Sequence, residues 1–526
     1  MPTEDVIIIG GGHNGLVAAA VLAKTGLRPL VLERAEKVGG CAVTSELAPG
    51  FRCPTLAHRA ALDPSIVRAL DLERHGLQII RPAAIVCAPT AGDRALTLWM
   101  DTERTTREIE PFSRADARRY PEFLASLTAV SSVLRSAFSF QPPSLDRPRL
   151  GHIVNLLKLG RRFRGLPAPD AHRLLRWLSM SVGDLVHEWF ESEPLVATIA
   201  AGGLLGQHLG PRSPGSAAAF LWLGAGEDRP VVPGWSAVGG IGVVSDALGA
   251  AATQAGARIR LCAEVRSIVV ENDTATGVVL STGEQITAQR IVSNLDPRRT
   301  LLGLVGPGHL PAHVSENLRH IRMRGTLAKI NYAVSSLPAF RGLAARDPAQ
   351  QEAALSGCVR LCHGIDALER AFDAAKYGRS SDEPWIELNI PSLLDRSLAP
   401  HGHHVVSAYV QFAPYVLRGS TWDTERDRFG DAATRTIEQF APGFARSIVA
   451  RQIITPLDLE RDHGLTEGQI FQGELALDQL FLARPLLGWA QYGTPIRSLY
   501  LCGVGTHPGA GLDGRSGWLA AQSIAP

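Results

Sequence analysis

Charge of one sign is what this 526-residue chain most plainly lacks: 53 lysines and arginines against 51 aspartates and glutamates leave a formal net charge of +2. No global positive field recommends a nucleic-acid partner, and none is expected. Cysteine is scarce as well. The seven (41, 53, 87, 262, 358, 362 and 502) are odd in number and scattered, which argues against a disulfide framework and for a reducing compartment. Cys358, Cys362 and His363 form the one close group, and without a second ligand pair beside them no metal site is expected. Long apolar runs are missing too. The 13 residues from Pro194 to Gly206 fall short of the ~18 a membrane span needs and carry three glycines. The start, Met1 to Asp5, has no basic region followed by an apolar stretch, so no signal peptide is expected and a cytoplasmic placement follows.

What is present is globular. Hydrophobic residues make up 45% of the chain and charged ones 20%, too apolar for disorder and too interrupted for a membrane bundle. A prior of about 150 residues per domain suggests two to four domains, or two large ones that the chain crosses repeatedly.

Val6 to Ile9 is a run of β-branched residues, the pattern of a parallel strand buried on both faces. Gly10, Gly11, Gly12, His13, Asn14 and Gly15 follow, then a small-residue helical segment from Leu16 to Lys24, with Gly26 placed to end it. Pro29 to Leu32 reads as a second buried strand that stops at Glu33, 18 residues beyond Gly15. Each part has a task in a dinucleotide-binding unit. Gly10 permits the tight turn, Gly12 removes the Cβ that would block a pyrophosphate, and Gly15 lets helix and strand pack closely. The helix N-terminus with its open N–H groups meets the diphosphate, with His13 and Asn14 at its first turn, and Glu33 accepts from ribose hydroxyls.

The segment from Arg34 to Thr44 adds a second glycine pair, Gly39 and Gly40, followed by Cys41 and Ala42, where backbone can approach the same diphosphate from its other side. This extension resembles that of FAD proteins of the glutathione-reductase-like superfamily. The stretches Gly12 to Ala20, Gly39 to Thr44, Pro49 to Phe51, Leu475 to Pro485 and Leu499 to Gly511 are similar to those of phytoene-desaturase-type flavoproteins, within them the subgroup typified by pyridine nucleotide-disulfide oxidoreductase domain-containing protein 2. The resemblance implies an α/β fold with a discontinuous Rossmann-type FAD-binding domain (1–80, 235–300 and 490–526) and a mixed α+β substrate domain (81–234 and 301–489). It further implies that Val265 meets the adenine side of FAD through its backbone. The C-terminal return, Gly503, Gly511, Asp513 and Gly514, would bring chain and a helix N-terminus to the flavin. Cys41 stands where many relatives carry Arg, Val504 where they carry Asp, and Gln472 where they carry His.

Disulfide reduction is not expected, since no CxxxxC pair follows the FAD motif and Gly239 to Gly242 follows no buried strand, which leaves one FAD and no second nucleotide fold. A flavin takes hydride without a catalytic triad. His58 and His507 are the two candidates for proton transfer, each against the alternative of a loop anchor. The expected activity is that of a dehydrogenase, desaturase or isomerase on an elongated apolar, polyene-like small molecule. The alternatives are an amine or amino-acid oxidase and a non-catalytic carrier. The sequence names no electron acceptor.

Leu156, Leu157, Phe163, Leu175, Trp177, Leu178, Trp189, Phe190, Phe220 and Trp222 are expected to wall the substrate cavity. The stretch Ile153 to Arg164, apolar on one face and carrying Lys158, Arg161, Arg162 and Arg164, has two readings. One is peripheral attachment to a membrane surface; the other, preferred, is a solvent-facing helix that covers the substrate cavity.

Overall fold

The computed structural model describes residues 3–525 apart from 91, 145–149, 228–230 and 232–233. Glu4–Ile9 lies inside the first sheet because Val6 to Ile9 have apolar neighbours on both faces. It runs parallel to Pro29–Leu32 on one side and to Gln285–Ser293 on the other, with Ile7 opposite Ile291 and Ile8 opposite Val292. Pro29–Leu32 pairs in parallel with Arg258–Arg260. The outer edge of Gln285–Ser293 is shared. Its first half meets Thr274–Leu280 antiparallel, and its second half meets Leu499–Leu501 in parallel. Val265–Glu271 and Thr274–Leu280 form a hairpin whose turn residues, Asn272 and Asp273, both take positive φ, the pairing that matches strand twist in a two-residue loop.

Three separated stretches of chain therefore build one sheet, as the resemblance implies. The helix His13–Lys24 packs between Gly242–Gln254 and Arg515–Ile524 through a shared core that includes Leu16, Val17, Val244, Leu248, Leu519 and Ala520. Small residues make the approach close: a Cβ on Gly517 would lie 2.1 Å from the Asn14 carbonyl oxygen.

The second sheet has seven strands in the spatial order Ile448–Ile454, Leu327–Val334, His404–Gln411, Ile386–Asn389, Cys358–Leu361, Ala84–Pro89 and Ala95–Trp99. Its neighbours are antiparallel except Cys358–Leu361 with Ala84–Pro89. One face packs on a core containing Ile330, Tyr332, Val406 and Ile437. Above it, a group of helices that includes Arg114–Ala137, Val182–His187 and Ser216–Gly226 shares a separate core with Phe123, Trp177, Trp189 and Phe190.

Among the described residues no helix is long and apolar enough to cross a membrane. Leu150–Arg164 forms the helix expected there, and none of its residues is buried. Leu150, Ile153, Val154, Leu156 and Leu157 are exposed, and the helix contributes nothing to the cavity wall, so the reading of a cover over the substrate cavity is corrected.

Candidate functional site

A cavity of about 590 Å³ runs from the carboxyl end of the first sheet to one face of the second. At the first sheet the chain turns at Gly10 with φ +95° and enters His13–Lys24 with Gly12 as its N-terminal cap and no side chain satisfying the cap N–H groups. The open end of a 12-residue helix is thus left for an anion. Gly40 faces it: a Cβ there would lie 3.4 Å from Gly12 Cα, and the Gly39 N–H donates to the Gly11 carbonyl at 2.9 Å. The buried Glu33 carboxylate accepts from the Gly11 N–H at 2.7 Å and the Ala35 N–H at 2.9 Å, fixing the loop while it faces the cavity. An uncapped helix end, glycines on two opposed loops and a carboxylate one strand over are the parts that a dinucleotide's diphosphate and ribose require.

Gly10, Gly12, His13, Glu33, Arg34, Gly40, Cys41, Val265 and Gly511 line the cavity. His13 Nε2 lies 3.2 Å from the Gly511 carbonyl, and burial brings its imidazole pKa down to about 4. Arg34 donates to the Asp462 carbonyl, and burial raises the Cys41 thiol to about 11.

The remaining expected residues stand behind this wall rather than in it. Gly15 is needed because a Cβ would sit 2.3 Å from the Gly10 carbonyl oxygen. Asn14 Oδ1 accepts from the Gly517 N–H at 3.1 Å and so joins the first helix to the last described one. Ala42 is buried and its carbonyl accepts from Ser245 Oγ. A Cβ on Gly503 would meet Gln472 Oε1 at 2.5 Å and the Asn294 carbonyl oxygen at 2.6 Å. Asp513 accepts from the Arg515 N–H, and Gly514, φ +75°, starts the terminal helix. Gln472 lines the cavity, its Oε1 accepting from the Gly505 N–H at 3.0 Å.

The two histidines separate. His507 is fully buried outside the cavity wall, its Nε2 3.0 Å from the Ala137 carbonyl and its ring flanked by Phe138, Trp222 and Phe481. Its own carbonyl accepts from Tyr492 Oη at 2.9 Å, which is the geometry of a loop anchor and corrects the proton-transfer expectation. His58 lines the cavity. Its ring lies flat on Tyr409, 3.7 Å between centroids, and Asn389 Nδ2 is 2.7 Å from its Nδ1. Because Asn389 Oδ1 accepts from Arg59, the amide must donate to Nδ1, so Nε2 carries the proton, and that N–H is buried without an acceptor. Burial holds His58 well below the usual imidazole range.

The far wall was not read from sequence. Lys329, Tyr409, Glu387 and Arg360 are direct cross-strand partners on four successive strands and so share one face. Arg360 donates to Glu387 at 2.7 Å and to the Thr198 carbonyl at 2.7 Å. Lys329 is fully buried, its Nζ 4.6 Å from the Tyr409 ring centroid and without a hydrogen-bond partner. Burial lowers it far below the ordinary ammonium range. The signal was one of five lysines in the chain, set with Asn331 two residues on in an otherwise apolar strand.

Of the ten side chains expected to wall the substrate end, Phe220 alone does so. Trp177, Trp189, Phe190 and Trp222 belong to cores, and Leu156, Leu157 and Leu175 are exposed. Leu205, Leu223, Ile470 and Phe471 take their place on the wall.

Two families match. Residues 8–70 match an NAD(P)-binding Rossmann-like domain, the unit that carries Gly10 to Glu33, and residues 200–525 match the flavin containing amine oxidoreductases. The chain is 38% identical to pyridine nucleotide-disulfide oxidoreductase domain-containing protein 2 of Rattus norvegicus, over 99% of this chain and 93% of that one. It is 26% identical to a phytoene desaturase (lycopene-forming) of Pseudescherichia vulneris, over 97% and 96%. A putrescine oxidase solved with putrescine bound has the same fold, TM-score 0.59 at 14% identity, over 100% of this chain and 98% of that one.

Proposed function

The chain belongs to the flavin-containing amine oxidoreductase family and is an FAD-dependent oxidoreductase, and on that premise we propose that it takes hydride from a C–H bond of an elongated, largely apolar small molecule, as a dehydrogenase, desaturase or isomerase. One observation carries the reading: a single cavity joins the dinucleotide cradle to a wall bearing Leu205, Phe220, Leu223, Ile470 and Phe471. The phytoene desaturase relative, named for a polyene substrate, supports it.

Gly10, Gly12, Gly40 and the open end of His13–Lys24 would hold the diphosphate, Glu33 the ribose, and Val265 the adenine side. FAD, when bound, supplies a hydride acceptor at N5. The chain's own contribution is position and proton control. The apolar wall orients the substrate and excludes water. Lys329 Nζ, whose ammonium form burial disfavours, would accept the proton that leaves the neighbouring atom. The N-terminal, middle and C-terminal stretches that build the first sheet form the FAD domain, and the second sheet with its helices forms the substrate domain.

Anaerobic bleaching of the purified flavoprotein against polyenes, long-chain acyl compounds, alcohols and amines, with products identified by mass spectrometry, tests this. Bleaching by long apolar compounds is expected. Faster bleaching and tighter binding by small charged amines would install the oxidase alternative. The open apolar face of Leu150–Arg164, with Lys158, Arg161, Arg162 and Arg164, supports peripheral contact with an anionic membrane. Sedimentation with vesicles containing anionic lipid, lost in L156D/L157D, is the expected result; co-sedimentation that is equal with neutral vesicles would remove the electrostatic part.

A further inference from the structure

The polar row at the substrate end is out of keeping with a purely hydrocarbon ligand. Arg59 and Arg360 contribute two guanidinium groups and Lys329 a buried amine, and Glu387 is the carboxylate bonded within the row, to Arg360. Arg59 reaches across from the first sheet's side to the second. Its Nη2 donates to Asn389 Oδ1 at 2.8 Å and to the Ser356 carbonyl at 3.3 Å, while Nε and Nη1 are buried with no acceptor. Asn389 ties it to His58, His58 lies on Tyr409, and Lys329 stands over the same ring. Arg59, His58 and Lys329 thus gather buried N–H donors around one end of one cavity, each without an acceptor.

Leaving a buried donor unmade is unfavourable, and for a guanidinium the penalty is greatest. An anion with two acceptor oxygens at this end would satisfy these groups together, and planar carboxylate is the partner guanidinium geometry matches best. The Arg59 guanidinium is tied to Asn389 at the end of a second-sheet strand and to the Ser356 carbonyl, which fixes its position in the cavity.

We propose that the inner end of the cavity is a carboxylate-binding site and that the substrate is a long-chain carboxylic acid, its acid group held by Arg59 and its chain laid along Leu205, Phe220, Leu223 and Phe471. This rests on the reading of an elongated apolar substrate and adds a charged end to it.

The test uses the FAD-loaded protein and four probes of one chain length: decanoate, methyl decanoate, decanol and decane. Calorimetric titration and flavin difference spectra read the binding. Decanoate is expected to bind at least tenfold more tightly than the other three, and R59Q is expected to lose that preference while it keeps its flavin and still binds the ester. Equal binding of all four to the native protein overturns the carboxylate site and leaves the apolar substrate standing. Binding of none overturns the apolar substrate and this site with it. Loss of flavin from a folded R59Q assigns the guanidinium to the cofactor and also overturns the proposal.

Discussion

The two ends of the cavity are built on different principles. At the first sheet the recognition surface is backbone: glycines at positions 10, 12 and 40, open N–H groups of one helix, and a single carboxylate from the next strand, all within 33 residues of one another except for the returns. At the second sheet it is side chain. Lys329, Tyr409, Glu387 and Arg360 come from four strands and meet through sheet register alone. A backbone surface tolerates little, since Gly10 and Gly40 hold positive φ and a Cβ at Gly12 would crowd Asn294, but it can be assembled locally. A side-chain surface can be altered one residue at a time, which suits an end proposed to select the substrate.

The difference can be broken most severely at Gly12. A branched side chain projects into the cradle, and a Cβ there already falls 2.7 Å from Asn294 Nδ2. G12V is expected to purify without flavin, and full yellow occupancy by absorbance would show that the backbone end does not carry the cofactor. At the other end K329M should keep its flavin yet slow reduction by substrate about 10²–10⁴-fold, the range for a proton-transfer group. Burial lowers the Lys329 pKa from the usual 10.5, so below pH ~10.5 the unfolded chain takes up this proton more readily than the folded one. That lysine therefore opposes folding below pH ~10.5, and K329M should melt at a higher temperature at pH 7. A slower and less stable variant would contradict a lone buried amine.

E33A tests the intermediate case, a side chain that serves the backbone end. Loss of the two N–H bonds at Gly11 and Ala35, with the ribose contact, should weaken FAD roughly 10–100-fold without abolishing it, from ~1.5–3 kcal/mol for hydrogen bonds to a charged group. Equilibrium dialysis of FAD checks it; unchanged affinity would leave Glu33 as a loop brace only. The smallest effect is expected at His507, behind both ends. Burial takes its pKa to about 3 from 6.5, so its contribution is complete above pH ~6.5 and is lost as pH falls toward about 3, by up to ~1.4 kcal/mol per pH unit. H507Q should narrow the gap between melting temperatures at pH 7.5 and pH 5 with reduction kinetics little changed. An unchanged gap together with slowed reduction would restore the proton-transfer role.

Legibility in the sequence followed the same division. Val6 to Glu33 announces a strand, turn, helix, strand and acid because the whole unit is contiguous and each residue's constraint is local. The last helix after Gly514 was readable for the same reason. The substrate end was not. Its apolar residues were sought among the tryptophans and leucines between 156 and 222, yet periodicity marks a side chain as inward-facing without saying whether it faces a core or a cavity. Lys329 and Arg360 are separated by 31 residues and joined by cross-strand pairing through Tyr409 and Glu387, which no single-strand pattern encodes.

The shared edge of Gln285–Ser293 also sets a schedule. Leu499–Leu501 completes that strand's pairing, and Arg515–Ile524 covers the helix His13–Lys24, so this helix waits for a partner in which Gly517 lies 503 residues beyond Asn14. Until then Leu16, Val17 and Ala20 lack part of their cover, and contacts of such long sequence separation close slowly. The nucleotide cradle is thus encoded between Gly10 and Gly40, but its full support comes from Leu499–Leu501 and Arg515–Ile524, so flavin capture depends on those distant segments being in place.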